Sequence, residues 1–517
     1  KLGAAAVEGE FGTYRFQREN SRLSLNLTIQ LFDREVVEAK IVVIAADGST
    51  VLYRGSDLTA AFAAAADGST IRVNEKVVLL DNVKVSGSIT LIGGGNIDCG
   101  DSTISLSAGA SVTADYPLLV MRACFHIGVL NSKAMELVGL DKAAAEKMGD
   151  FAGKNPDGTP NGVVKEHVVD NIKANLPAPD LKTLLDMVLA CQKDLFARGI
   201  TSIQSDDFKY TPDGCAYEMM RLLRDASEDG RLKVRWGEQA LLPTKAELDE
   251  FFDRKGCDDS YGNRSFKIST VKLLTDGSLG ARTAYMRRPY ADDPSTRGLP
   301  TYTQEGLDAL VLKAHENNMP VAMHAIGDGA MEMALGAIER ARKAMPYVHP
   351  RHGVVHCQIT DRRQVERFRE LDVIAFIQPI FIDYDMHIVF DRVGKELGST
   401  SYAWKDYIES GVHAPFGTDA PVEDFNPMRG LYCAVTSRDL NGEGPFLPRQ
   451  ILSREQALYG YTAAGAWATR DENVKGKIKP GMYADFITVD RDLLKCPERD
   501  ILAARVTATY IGGEKVF

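Results

Sequence analysis

Four side chains between residues 266 and 423 have the types and spacing that chemistry needs. They are Lys272 in FKISTVKLLTDGSLG, His324 in VAMHAIGD, His356 in GVVHCQI and Asp419 in APFGTDAPVED. Each stands where a β-branched or apolar run gives way to Gly, Asp or Pro, and helical stretches separate them. In a parallel αβ-barrel the carboxyl ends of all strands open on one face, so residues distant in sequence converge there. A lysine, two histidines and an aspartate meeting at one point have the makings of a metal site with an acid/base attached.

Each of the four also has an ordinary reading. A lysine amid Val271, Leu273 and Leu274 must be paired, deprotonated or modified, because burying an ammonium is costly. A neutral Lys272 amine could act as a base or take up CO2 as a carbamate, an anion able to hold metals. A salt bridge to Asp276 or Asp419 is the alternative. His324 and His356 end consecutive predicted strands, which makes them neighbours, and a neutral imidazole is the commonest transition-metal ligand. Either ring could instead simply hydrogen-bond in a barrel mouth. Asp328 could orient the His324 ring from behind, or cap the helix that follows. Asp419 could bind a metal and accept a proton from water, or shape the TDAP turn. The Arg-rich loop DGSLGARTAYMRRPY offers Asp276 and Arg282 to a substrate, although loop arginines are commonly just solvated. His167, His315, His349, His352, His387 and His413 read as structural or solvated. Cys357, beside His356, reads as a small buried residue on the opposite strand face.

The elements that must position these residues follow from the chain's rhythm. Residues 1–37 are mixed. Residues 38–112 are short β-branched runs broken by Gly, Asn and Asp, the texture of a small β-sandwich half or of a β-helix. From about residue 113 strands alternate with helices, after an insertion-like stretch over 113–179. Seven strands are expected at ITSIQSD, LKVRWGEQA, FKISTVKLL, PVAMHAI, GVVHCQI, VIAFIQP and APFGTDA. Helices of 10–16 residues separate most of them, which predicts a parallel sheet closed towards a TIM-like barrel over 113–470. Residues 471–517 resume the β texture, and the two β-rich ends suggest a shared small β-sandwich domain.

The 517 residues carry a formal net charge of −10 and no Lys/Arg run, which argues against nucleic-acid and anionic-membrane partners. No apolar stretch approaches the length of a membrane span. The eight cysteines show no CxxC pairing, so reduced thiols and a cytoplasmic setting are expected. The expected partner is a small-molecule substrate, and there is room for a homodimer.

Six blocks then resemble one family in order: RACFHIGVLNSKAMEL, VKLLTDGSLGARTA, VAMHAIGDGAMEMALGAIE, VVHCQIT, GTDAPVEDFNPMRGLYCAVT, and LYGYTAAGAWAT with KGKIKPGMYADFITVD. The chain resembles the amidohydrolase superfamily, in the amidohydrolase-3 branch of YtcJ-like proteins and N-substituted formamide deformylase. The resemblance implies hydrolysis of amide-type C–N bonds by a metal-activated water. It matches Lys272 to a carboxylated lysine, His324 and His356 to metal ligands, and Asp419 to the base. His126 falls in a block that lies near the substrate pocket. One departure stands out. The family opens its barrel with an HxH pair on the first strand, and no HxH occurs here. The barrel is therefore expected to be incomplete at strand 1, where residues 38–112 could supply a substitute strand. Lys272, His324 and His356 would hold one divalent ion rather than two, with zinc first among the candidates. A non-catalytic relative that has lost part of its metal site is the alternative.

Overall fold

The computed structural model describes residues 127–173, 180–209, 214–255 and 261–517, together with strands and short connections within 5–24, 41–73 and 77–121. The chain divides into two compact units, Lys1–Asn175 and Leu176–Phe517.

The second unit is built on six parallel strands: β1 (Ser202–Ser205), β2 (Arg235–Leu241), β3 (Phe266–Leu274), β4 (Val321–Ala325), β5 (Gly353–His356) and β6 (Ile374–Phe376). They lie side by side in sequence order. One crossover helix joins each pair: α2 (Ala216–Glu228), α3 (Lys245–Arg254), α4 (Gln304–Glu316), α5 (Asp328–Ala344) and α6 (Arg362–Glu370), after an opening helix α1 (Leu181–Ala197). Sequence order without skips is what right-handed βαβ crossovers produce when they keep turning in one direction, as in a barrel. The sheet is thus an incomplete TIM-like barrel. Strands β2, β4 and β5 are buried along nearly their whole length, whereas β1, with the sequence SIQS, is half-buried throughout. Polar residues suit an edge strand with one unpaired side.

The seventh expected strand is reduced to a single parallel bridge, Ile377 with Phe416. Pro415 brings no N–H to the ladder, which is left with the Ile377 N–H on the Pro415 carbonyl and the Gly417 N–H on the Ile377 carbonyl; on the other side of the segment the Phe416 N–H donates to the Gly460 carbonyl, all at 3.0 Å. That diverted carbonyl accounts for a second difference. The helix expected over 453–470 is two helices, α7 (Arg454–Tyr461) and α8 (Ala463–Ala468), broken at Thr462. After them β7 (Phe486–Val489), β8 (Val506–Ile511) and β9 (Glu514–Lys515) form a three-stranded antiparallel sheet. The Arg235–Asp485 ion pair, nearly buried, ties its leading edge to β2.

In the first unit, short strands stack in parallel. Val77 pairs with Ile97, Val83 with Ile104, and Thr70 with Thr90, and 88–92 pairs in turn with 111–114. The offsets of 20, 21 and 20 residues are those of solenoid coils stacked on their neighbours. Parallel pairing at such offsets is the pattern of a β-helix. Around it are antiparallel strands at 41–44 and 51–55 and a helix at Leu58–Ala64, whose Ala61 and Phe62 are buried with Ile41, Val43 and Ile71.

At the foot of the sheet two buried histidines form a closed hydrogen-bond chain. The Val321 N–H donates to His352 Nδ1 at 3.1 Å, so the proton of that ring sits on Nε2. Nε2 donates to His315 Nδ1 at 2.8 Å, and His315 Nε2 donates to the Met345 carbonyl at 3.1 Å. All four ring nitrogens are used, and only with both rings neutral. Burial pushes both imidazoles below their ordinary value, aided by Arg342 beside each; Glu316 opposes this at His315. The unfolded chain therefore takes up protons near pH 6.5 before the folded chain does, and stability present above that pH is lost as pH falls. Chemical denaturation at pH 7.5 and 5.0 should show the loss, approaching about 1.4 kcal/mol per pH unit for each proton excluded. His315→Leu should have a shallower pH dependence. An equal slope in both proteins would remove this pair as the cause.

Candidate active site

Three of the four sequence-predicted residues are positioned by register at the mouth of the half-barrel. Lys272 lies opposite Leu241 and Ala322, Leu274 opposite His324, and Ala325 opposite His356. Lys272, His324 and His356 are buried, at 6%, 3% and 3% exposure. The two imidazoles meet edge to face with centroids 4.4 Å apart. Register beyond the Ile377–Phe416 bridge carries Asp419 past the same ends of the strands, where it is exposed.

Each histidine is fixed from behind. Asp276 Oδ1 lies 2.8 Å from His324 Nδ1. The same carboxylate accepts the N–H groups of Ile326 (3.1 Å), Gly327 (2.8 Å) and Tyr285 (2.9 Å). Gln378 Oε1 lies 3.0 Å from His356 Nδ1, and Phe381 stacks on that ring. An acceptor on Nδ1 sets the tautomer, leaving Nε2 as the lone-pair nitrogen, as in metal-ligating histidines. The backbone supports the same reading. His356 and Asp419 have φ of +78° and +58°. Left-handed conformations are uncommon outside glycine and gather at functional sites.

The orienting role expected of Asp328 thus belongs to Asp276. Asp328 opens α5, where its carboxylate takes the backbone and side-chain N–H groups of Arg287, at 2.9 and 2.6 Å. Asp276, expected to face a substrate, is 1% exposed and its oxygens point into the protein. Arg282 is held by Asp292 in a two-pronged pair that Arg392 shares. His126 lies outside the described residues. Cys357 is fully buried, and burial pushes its thiol well up, as befits a packing residue.

Lys272 has a partner that the sequence reading missed. Its ammonium lies 3.0 Å from Asp206, just past the end of β1. Burial works against the charge of Asp206, but Lys272 and then His324 outweigh it and hold the carboxyl below its usual range. On β2, Glu238 is fully buried, and burial together with Asp207 and Asp206 raises its carboxyl far above the usual range. Trp236 donates to its Oε2 at 3.0 Å. The rule that finds Lys272 and the histidines, a polar residue at a strand's carboxyl end, also finds Asp206 in SIQSDD and Gln378 in FIQP.

The donor set partly fits a divalent cation. Two oriented imidazoles are in place. Among the described residues, the trio of His, Cys, Asp and Glu side chains with ligand atoms all within 4.8 Å of one another is His387, Asp439 and Glu443, not a trio at the mouth. The imidazoles therefore need Lys272 as its carbamate, or a movement of Asp206, to make three ligands. As an ammonium Lys272 repels a cation; as a carbamate it attracts one.

The loop after β3 presses closely on the start of α5. A Cβ on Gly327 would lie 2.0 Å from the Tyr285 carbonyl oxygen. Gly327→Ala should therefore cost about 2–3 kcal/mol through forced backbone movement. Gly465→Ala, which meets open space inside α8, should be neutral or stabilising. Paired thermal melts test this; equal shifts would contradict the close packing.

Comparisons with known proteins agree with the geometry. The model of the amidohydrolase family matches residues 106–517. The putative amidohydrolase YtcJ of Bacillus subtilis is 30% identical over 78% of this chain and 74% of its own. N-substituted formamide deformylase of Arthrobacter pascens is 20% identical over 78% and 73%. The crystal structure of an uncharacterized metal-dependent hydrolase from Pyrococcus horikoshii superposes with a TM-score of 0.59 at 29% identity, over 74% of this chain and 73% of that one.

Proposed function

The chain belongs to the amidohydrolase family, and on that premise we propose that it is a metal-dependent hydrolase of amide-type C–N bonds other than peptide bonds. The observation that carries this reading is the imidazole pair, His324 and His356, each fixed through Nδ1 by Asp276 and Gln378. Lys272 as its carbamate completes the ligand set. A divalent cation held there supplies a Lewis acid for the scissile carbonyl and makes water a stronger nucleophile. Imidazole-rich N/O ligation suits zinc. Asp419, exposed on its left-handed turn, takes the proton of the attacking water and delivers it to the leaving nitrogen. The substrate is a small molecule. A cytoplasmic setting belongs to the same proposal, supported by the free thiols of Cys191, Cys215, Cys357, Cys433 and Cys496.

Lys272 favours a second reading. With no HxH pair in the sequence, its ammonium is neutralised by Asp206 and needs no metal. A non-catalytic, binding relative would keep that ion pair.

Elemental analysis of the purified protein, alongside turnover of a panel of N-acyl and N-formyl amines, separates the two. The hydrolase reading expects bound metal and release of amine from at least one panel member. Asp419→Ala should lower turnover about 10²–10⁴-fold with metal content retained. His324→Ala should lose metal. Absence of metal and turnover selects the binding relative; unchanged turnover in Asp419→Ala removes that residue as the base.

A further inference from the structure

At the foot of the sheet, on the side opposite the mouth, lies a cavity of about 420 Å³. His413, whose carbonyl accepts the Ala375 N–H of β6, forms one wall with Tyr459 of α7 and Trp467 of α8. Lys475, Lys477 and Lys479, on the segment leading to β7, form its rim.

The aromatic wall is held rigidly. The Arg351 guanidinium lies over Trp467 at 3.7 Å, and His413 stacks on the same indole at 4.1 Å and 21°. His413 Nδ1 lies 2.8 Å from the Tyr459 hydroxyl. Both faces of Trp467 are therefore covered, which leaves His413 and Tyr459 as the surface against which a flat ligand can lie.

The charges around it do not cancel. Glu472 is fully engaged by Arg351, in two hydrogen bonds at 3.0 and 2.8 Å. Asp471 serves two ammonium groups, Lys267 at 2.6 Å and the buried Lys475 at 3.1 Å. Lys477 and Lys479 are exposed and have no ion pair among the described residues. Among the side chains that line the cavity, three lysines thus face one carboxylate, Glu472, in a chain whose formal net charge is −10. Neighbouring cations in a concave site attract an anion, and the self-repulsion they cost is relieved when one binds.

We propose that this cavity is a second ligand site, for a small aromatic anion whose ring lies on His413 and Tyr459 and whose carboxylate or phosphate is held by Lys477 and Lys479. It shares no residue with the mouth, so it stands whether or not the chain hydrolyses amides.

Fluorescence titration of the full chain tests it, because Trp467 borders the cavity. Benzoate and phenyl phosphate are the aromatic probes, with acetate and inorganic phosphate as their ring-free counterparts. We expect saturable quenching by at least one aromatic probe, at least tenfold tighter than its counterpart. The tighter of the two identifies the anion as carboxylate or phosphate. Lys477→Ala/Lys479→Ala, two exposed positions, should weaken binding at least tenfold, and Trp467→Phe should remove the signal. No saturable change, binding unaltered by the double substitution, or ring-free anions binding as well as aromatic ones would overturn the proposal.

Discussion

The mouth of the half-barrel depends on one buried carboxylate. Asp276 receives the N–H groups of Tyr285, Ile326 and Gly327 and lies against His324 Nδ1, so a single side chain joins the end of β4, the loop after β3 and the start of α5. A buried carboxylate is stable when its lone pairs are met, and here four groups meet them. The glycines at 327 and 329 allow the approach, since a Cβ at either would collide with the Tyr285–Met286 backbone. The orientation of His324 and the position of the loop are thus consequences of one satisfied charge.

Around that anchor the electrostatics are balanced by the protein itself. Lys272 is a cation buried among apolar neighbours, and Asp206 reaches across from β1 to meet it. Conversion of the amine to a carbamate would reverse the sign of that position and place two anions side by side, an arrangement that a divalent cation between them would stabilise. On the proposed reading, modification and cation uptake would be coupled at this mouth. Burial first, and then Asp207 and Asp206, raise the carboxyl of Glu238, deeper on β2, well above the usual carboxylate range.

The mouth and the foot of the sheet differ in how they treat histidine. At the mouth, His324 and His356 have their Nδ1 atoms fixed by acceptors. At the foot, His315 and His352 spend all four nitrogens on the protein, while His413 stacks on an indole with its Nδ1 at a tyrosine hydroxyl. The same residue type thus stands oriented at the mouth and serves structural hydrogen bonding and packing at the foot, and strand register with the partner of Nδ1 decides which.

The sequence alone determined the alternation of strands and helices, because apolar periodicity and strand-ending Gly, Asp and Pro are local signals; six of seven expected strands and α1–α6 answer to them. It determined that Lys272, His324 and His356 share one end of a sheet, since strand termini in a parallel sheet have no other place to go. It did not determine which carboxylate stands behind which base. Asp328 is four residues from His324 and seemed the natural partner, yet Asp276, 48 residues away, takes that place. Asp206 meets Lys272 from 66 residues away, and the Gly460 carbonyl meets the Phe416 N–H from 44 residues away. Tertiary structure decided these pairings because hydrogen bonds and ion pairs are set by distance in space, which strand register and loop packing fix only once the chain has folded.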